Sequence, residues 1–397
     1  MSFTCNTAGL TFAHFNEAIT GRVFHMLGSS LALVLITAVP PATPAKLVVA
    51  HRGASGYVPE HSQMAYELAL SQQADVIELD LVVSKDQQLL IRHENELSLS
   101  TDVADRPEFA KRKTSKIIDG LTVSGWFAED FTIAELTSLK LRETKPQVRV
   151  NNMRLNNQLS LLSLQEFLVW NQQQWQQGKR YDVYMELKHP TFFRYEAGNF
   201  SADTAQLLQQ QLVAQPLPAQ QQLYVESFEA EPLQRWKQWR NQFTFKVTLV
   251  QLLGDVSGGS KLPQDNFAYP WDFVYKTQKQ TANPSTILPT YADMVTEQGL
   301  KDIATYADAI GPWRDNLYPY AGGPVTPWVH QAKALGLMIH PYTFRAETEF
   351  RQKTPTGEVQ SLCEELTWLW QQSWLDGIFT DNPDIAVQAR DGKCPTK

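Results

Sequence analysis

Residues 75–94 read DVIELDLVVSKDQQLLIRHE. From Val76 to Val83 the run is apolar except for Glu78 and Asp80. On a β-strand, side chains two apart point the same way. Both carboxylates therefore share one face, and Ile77, Leu79 and Leu81 share the other. A second apolar run, Leu89–Arg92, follows after only Ser84–Gln88. Parallel neighbours need a crossover of about a dozen residues or more. Val76–Arg92 is therefore expected to be an irregular unit, not a regular βαβ one.

Outward from this stretch, strand-like runs recur at Leu47–Ala50, Tyr181–Leu187, Leu223–Phe228, Phe245–Leu252, Ala307–Ile310, Leu337–His340 and Ile378–Phe379. Helical periodicity lies between most of them, at Glu60–Gln72, Ser163–Gln176, Thr204–Val213, Glu231–Trp239, Thr296–Tyr306, Pro327–Leu335 and Glu358–Trp374. Such alternation points to a parallel α/β architecture. The 397 residues suit one α/β barrel, about 250 residues in its plain form, with insertions. Nine strand candidates compete for eight barrel positions. Residues 94–160, of mixed charge and little periodicity, read as an insertion over the mouth, and Gly254–Tyr291 as a second one.

Lys and Arg number 35 against 42 Asp and Glu, a net charge of −7, with no long basic run. A nucleic-acid footprint is thereby excluded. Met26–Val39 is uncharged and mostly apolar, and Pro40-Pro41 ends it. It is shorter than the ~20 residues of a spanning helix. Thr43-Pro44-Ala45 then offers small residues for a signal peptidase. Residues 1–45 are therefore expected to be a signal peptide, with Met26 a second candidate start, and residues 46–390 the exported, periplasmic domain, without stable membrane insertion. Cys363 and Cys394 follow the leader. They are equally compatible with one disulfide and with two thiols.

Chemistry-bearing residues collect at strand ends, where barrel enzymes place their reactive groups. His51-Arg52-Gly53 follows Leu47–Ala50. Histidine moves protons near neutral pH, arginine grips phosphate oxygens in a fork, and Gly53 permits a sharp turn. Glu78 and Asp80 would repel each other unless a divalent cation lay between them. His93-Glu94 ends the next run, and Glu186-Leu187-Lys188 adds a third carboxylate and a cation on one face. Taken singly, each is as readily an ordinary surface group. Their arrangement on successive strand ends is what points to phosphodiester chemistry.

HRGASGYVPEH (51–61), residues 75–94, MELK (185–188) and GIFTDNPD (377–384) resemble the glycerophosphodiester phosphodiesterase family. TDVADR, FTIAELTSLK, YADAIGP and HPYTFR resemble its periplasmic GlpQ-like branch. The resemblance spans about Lys46–Asp384. Two departures are Pro59-Glu60-His61-Ser62, where many relatives have Pro-Glu-Asn-Thr, and Glu94, where most have Asp. The resemblance implies a TIM-type (β/α)8 barrel with an inserted segment over the C-terminal mouth. It implies metal-dependent hydrolysis of small-molecule glycerophosphodiesters to glycerol 3-phosphate and an alcohol. Glu78, Asp80 and Glu186 would hold a divalent cation, Ca²⁺ first and Mg²⁺ second. His51 and His93 would move protons, Arg52 would stabilise charge, and Arg52, Lys188 and Tyr342 would bind substrate. The competing readings are a related phosphodiesterase acting on lysolipid or a teichoic-acid-like polymer, and a non-catalytic exported binding protein on the same barrel.

Overall fold

The computed structural model describes residues 46–257, 267–280 and 288–394. The expected leader, 1–45, lies outside them. Strand β1 (Leu47–Ala50) leads to helix α1 (Gln63–Ser71), and then β2 (Val76–Val83) turns back into β3 (Leu89–Ile91). After β4 (Thr114–Ile118), β5 (Leu121–Gly125), α2 (Ile133–Ser138) and α3 (Leu164–Gln176) the alternation becomes regular. It runs β6 (Asp182–Leu187), α4 (Thr204–Ala214), β7 (Leu223–Ser227), α5 (Ala230–Trp239), β8 (Val247–Leu253). Three helices, α6 (Trp271–Gln280), α7 (Tyr291–Met294) and α8 (Glu297–Ala304), precede β9 (Ala309–Pro312). The chain ends with α9 (Trp328–Ala334), β10 (Met338–Ile339), α10 (Leu362–Trp370), β11 (Gly377–Thr380) and α11 (Pro383–Arg390).

Among the described residues, eight parallel strands pair in the order β10-β9-β8-β7-β6-β2-β1-β11. The two ends meet beyond β10: Phe379 donates to Pro341 at 3.0 Å and Phe344 to Phe379 at 2.9 Å. The result is a nearly closed TIM-type barrel. The ninth strand candidate is β3, which pairs antiparallel with β2 (Leu81 opposite Ile91). The short Ser84–Gln88 connection therefore makes a hairpin, as its length requires. Helix ends follow sequence signals: Ser163 and Glu166 form a capping box on α3, as Ser361 and Glu364 do on α10.

The alternation in β2 decides what the barrel encloses. Ile77, Leu79 and Leu81 join the large core between strands and helices. Val76, on the opposite face, packs inside the barrel with Val49, Tyr184, Tyr224, Val250, Ala309 and Phe379. Tyr184 and Tyr224 stack at 4.3 Å. This apolar layer forms a floor. Two residues further along each strand, at the C-terminal end, the same face carries Glu78, Glu186 and Glu226.

Residues 94–160, without clear periodicity in sequence, contain the β4–β5 hairpin, antiparallel with Ile118 opposite Leu121. From the second expected insertion, residues 258–266 and 281–287 are outside the described residues, and the rest includes α6. Cys363 and Cys394 form a disulfide. It ties α10 to the segment after α11 over 31 residues. Loop-closure entropy for that length is worth about 3–4 kcal/mol. Reduction, or Cys394→Ser, is accordingly expected to lower the denaturation midpoint, measured in urea with and without reductant. An unchanged midpoint would show that the bridge contributes nothing. Among the described residues no helix is long and apolar enough to cross a membrane.

Candidate active site

His51 caps β1, its amide bonded to the Thr380 carbonyl of β11 at 3.0 Å. Arg52 takes a left-handed backbone (φ 59°), and so does Gly53 (φ 81°). A Cβ on Gly53 would lie 2.7 Å from the Ala65 backbone. Glycine is therefore needed for close approach as well as for the turn. This tight turn directs the Arg52 amide to Glu78 Oε2 at 2.6 Å. The guanidinium meets Glu60 at 3.0 Å and stands 3.3 Å from Asp80.

Glu78, Asp80 and Glu186 come together from β2 and β6, each offering an oxygen within 4.8 Å of the others. All three are buried. Burial, and then repulsion from Asp80, raise Glu78 well above the usual carboxylate range. Glu186 rises to about 8 through burial, with Lys188 pulling down and Asp80 pushing up. Asp80 is buried too, yet the groups around it, His93 and Arg52 foremost, hold it well below its ordinary value. Three converging buried carboxylates, two of them unfavourable to ionise, are a donor set that fits a hard divalent cation.

The histidines flank this cluster. His51 Nδ1 donates to Asp381 Oδ1 at 2.6 Å, which leaves the Nε2 lone pair for a proton. Asp381 is itself held by Arg345 at 2.7 Å and by Arg149. Burial and then Arg52 push His51 down to about 3, outweighing Asp381. His93 Nδ1 meets Glu94 Oε1 at 2.6 Å, and Lys188 Nζ lies 3.1 Å from its Nε2. Burial, Arg52 and Lys188 push His93 down to about 4. Burial and the neighbouring cations thus favour the neutral form of both imidazoles in the free site, and each has a carboxylate that fixes its orientation. Lys188 also pairs with Glu186 at 2.9 Å.

His51, Arg52, Glu78, His93, Glu186, Lys188 and Tyr342 line one cavity of about 500 Å³, and Asp80 offers an oxygen within 4.8 Å of Glu78 and Glu186. Tyr342 donates its hydroxyl to the Leu253 carbonyl at 3.0 Å and sets its ring edge-on to Phe228, 5.9 Å between centroids. The lining also includes apolar side chains, Ile118 and Leu121 of the hairpin together with Phe267, Trp271 and Tyr291.

Four further residues went unread in the sequence. Asp381 lay inside a quoted motif, but its partner is 330 residues away. Glu226 sits beside Glu186 on β7, buried, with Oε2 unpaired. Its signal was available, since the β7 run places it on the same face as Tyr224. Glu60 holds Arg52. His61, noted only as a departure from the usual motif, reaches Asp80 Oδ2 at 2.8 Å and Tyr66 at 3.1 Å.

Residues 51–385 match the glycerophosphoryl diester phosphodiesterase family. The chain belongs to that family. It is accordingly a phosphoric diester hydrolase, and members of the family use a divalent metal. A glycerophosphodiester phosphodiesterase of Treponema pallidum is 28% identical, over 86% of this chain and 91% of its own. One of Arabidopsis thaliana is 27% identical, over 84% and 82%. Among solved structures, an Oleispira antarctica phosphodiesterase in complex with the product sn-glycerol-3-phosphate has a TM-score of 0.52 at 18% identity, covering 87% of this chain and 96% of that one. A structure from Silicibacter pomeroyi has a TM-score of 0.54 at 15% identity, with 88% and 94% covered. The two structures share the barrel fold.

Proposed function

We propose that this enzyme hydrolyses glycerophosphodiesters to glycerol 3-phosphate and an alcohol, with a divalent cation at Glu78, Asp80 and Glu186. The observation that carries the reading is the pair of carboxylate-oriented histidines flanking a buried carboxylate triad. When bound, the cation supplies positive charge to the non-bridging phosphate oxygens. Ca²⁺ is proposed ahead of Mg²⁺, because the donors are all oxygen and the domain is read as exported. Arg52 and Lys188 bind phosphate oxygens and stabilise the charge that grows in the transition state. One histidine, in its neutral form, takes a proton from the attacking oxygen, and the other, charged as imidazolium beside the bound phosphate anion, gives one to the leaving alcohol. Tyr342 is proposed to hold substrate against the Phe228 side of the cavity.

The test is release of glycerol 3-phosphate, read by a coupled assay, from glycerophosphocholine, glycerophosphoethanolamine and glycerophosphoglycerol. Turnover of at least one is expected, and turnover of none would reject the reading. The apolar residues of the lining favour a second substrate class, lysolipid. Release of choline from lysophosphatidylcholine at a kcat/KM above that for glycerophosphocholine would establish it instead.

Export is proposed from the apolar run 26–39 and the small residues before Lys46, and the Cys363–Cys394 bridge suits an oxidising compartment. N-terminal sequencing of protein from the native cell is expected to start near Lys46. A mature chain beginning at Met1 in the reducing cytosol would refute it.

A further inference from the structure

The two histidines differ in how their carboxylate partners are secured. Asp381, behind His51, is 1% exposed and is gripped by two arginines as well. Glu94, behind His93, is adjacent to it in sequence, and its side chain is 54% exposed. A carboxylate with water on one side has rotamers that turn it away from the imidazole.

What faces its second oxygen is His189. The Nε2 of His189 stands 3.7 Å from Glu94 Oε2, and its Nδ1 is 2.6 Å from Asp119 Oδ2. The ring is 16% exposed. Burial disfavours its charge, but Asp119 and Glu94 more than offset this and raise it to about 10. His189 also holds a left-handed backbone (φ 47°). That conformation is costly for a non-glycine residue and persists only where the surroundings impose it. Asp119 (φ 45°) opens the Asp119-Gly120 turn between β4 and β5. The turn is seated under Trp271, since a Cβ on Gly120 would lie 2.6 Å from that ring. Trp271 is itself anchored through Nε1 to Glu196 at 2.6 Å.

We propose that His189 is a positioning residue: held by Asp119 at the hairpin tip, it holds Glu94 against His93, so the hairpin helps orient the imidazole that transfers the proton. His189 makes and breaks no bond. The inference rests on the catalytic role proposed for His93 and adds the element that orients it.

The experiment is a kinetic cycle on the metal-loaded enzyme with glycerophosphocholine. His189→Ala is expected to lower kcat about 10–100-fold, the range typical when an orienting partner is lost, with KM within about twofold. Metal affinity by calorimetry should be unchanged. Glu94→Gln should produce a similar loss, and the double variant no more than either alone, because both changes remove one interaction. Asp119→Asn keeps an acceptor for Nδ1 and should retain most of kcat, whereas Asp119→Ala should follow His189→Ala. If His189→Ala does not fold, His189→Gln enters the same cycle. Losses that multiply in the double variant, an effect confined to KM, or an unchanged kcat would overturn the inference. Full activity in His93→Ala would instead overturn the role assigned to His93.

Discussion

Chelator-treated protein, shown metal-free by elemental analysis, is expected to lose at least ~10³-fold in kcat/KM and to recover on adding Ca²⁺ or, second, Mg²⁺. A factor of that size is about 4 kcal/mol, within the several kcal/mol that a bound cation lends a charged transition state. The premise is electrostatic. Glu78, Asp80 and Glu186 converge within 4.8 Å in the buried barrel. Arg52 and Lys188 leave Glu78 and Glu186 still unfavourable to ionise. Asp80→Asn removes one ligand charge while keeping an oxygen where His61 now donates. It is expected to weaken metal binding by at least about tenfold, roughly 1.4 kcal/mol, with an unchanged circular dichroism spectrum. Full activity in verified metal-free protein would reject the metal assignment.

What was legible in the sequence follows from the range of the interactions involved. In β2 the two faces meet different surroundings, an apolar helix layer on one side and the barrel lumen on the other. The period-two pattern of Ile77, Glu78, Leu79, Asp80 and Leu81 records that difference locally. The same holds for Glu186 on β6 and Lys188 just after it, and for the short Ser84–Gln88 link, whose length alone rules out a crossover.

The β4–β5 hairpin was missed for the opposite reason. Its Asp119-Gly120 turn is a strong hairpin signal. However, the strands beside it carry Thr, Ser and Lys on partly exposed faces, so they show little apolar alternation. Asp381 and Glu226 act through partners on distant segments. No local period encodes the meeting of Asp381 with His51 or of Glu226 with Glu186; that depends on barrel closure and strand register. His61 shows the same limit, because its value lies in reaching Asp80 across a turn.

His51→Ala is expected to lower kcat by about 10²–10⁴-fold, the range for losing a positioned proton carrier, with little change in metal affinity. Asp381→Asn should lower it less, because an amide can still meet Nδ1 but no longer stabilises an imidazolium. The pH dependence of the wild-type enzyme separates this role from a purely structural one. His51 and His93 are lowered to about 3 and about 4 in the fold from an ordinary value near 6.5. A lowered histidine favours the neutral form, so its contribution to stability is complete above about pH 6.5. It is lost as pH falls from there toward the folded values. The neutral base is preserved over the same window. At saturating metal, the acid limb of kcat/KM is therefore expected below pH 6.5. An acid limb at or above 6.5 would show that burial and the neighbouring cations do not hold the basic imidazole neutral in the free enzyme, and a His51→Ala variant with near-normal kcat would remove His51 from proton transfer altogether.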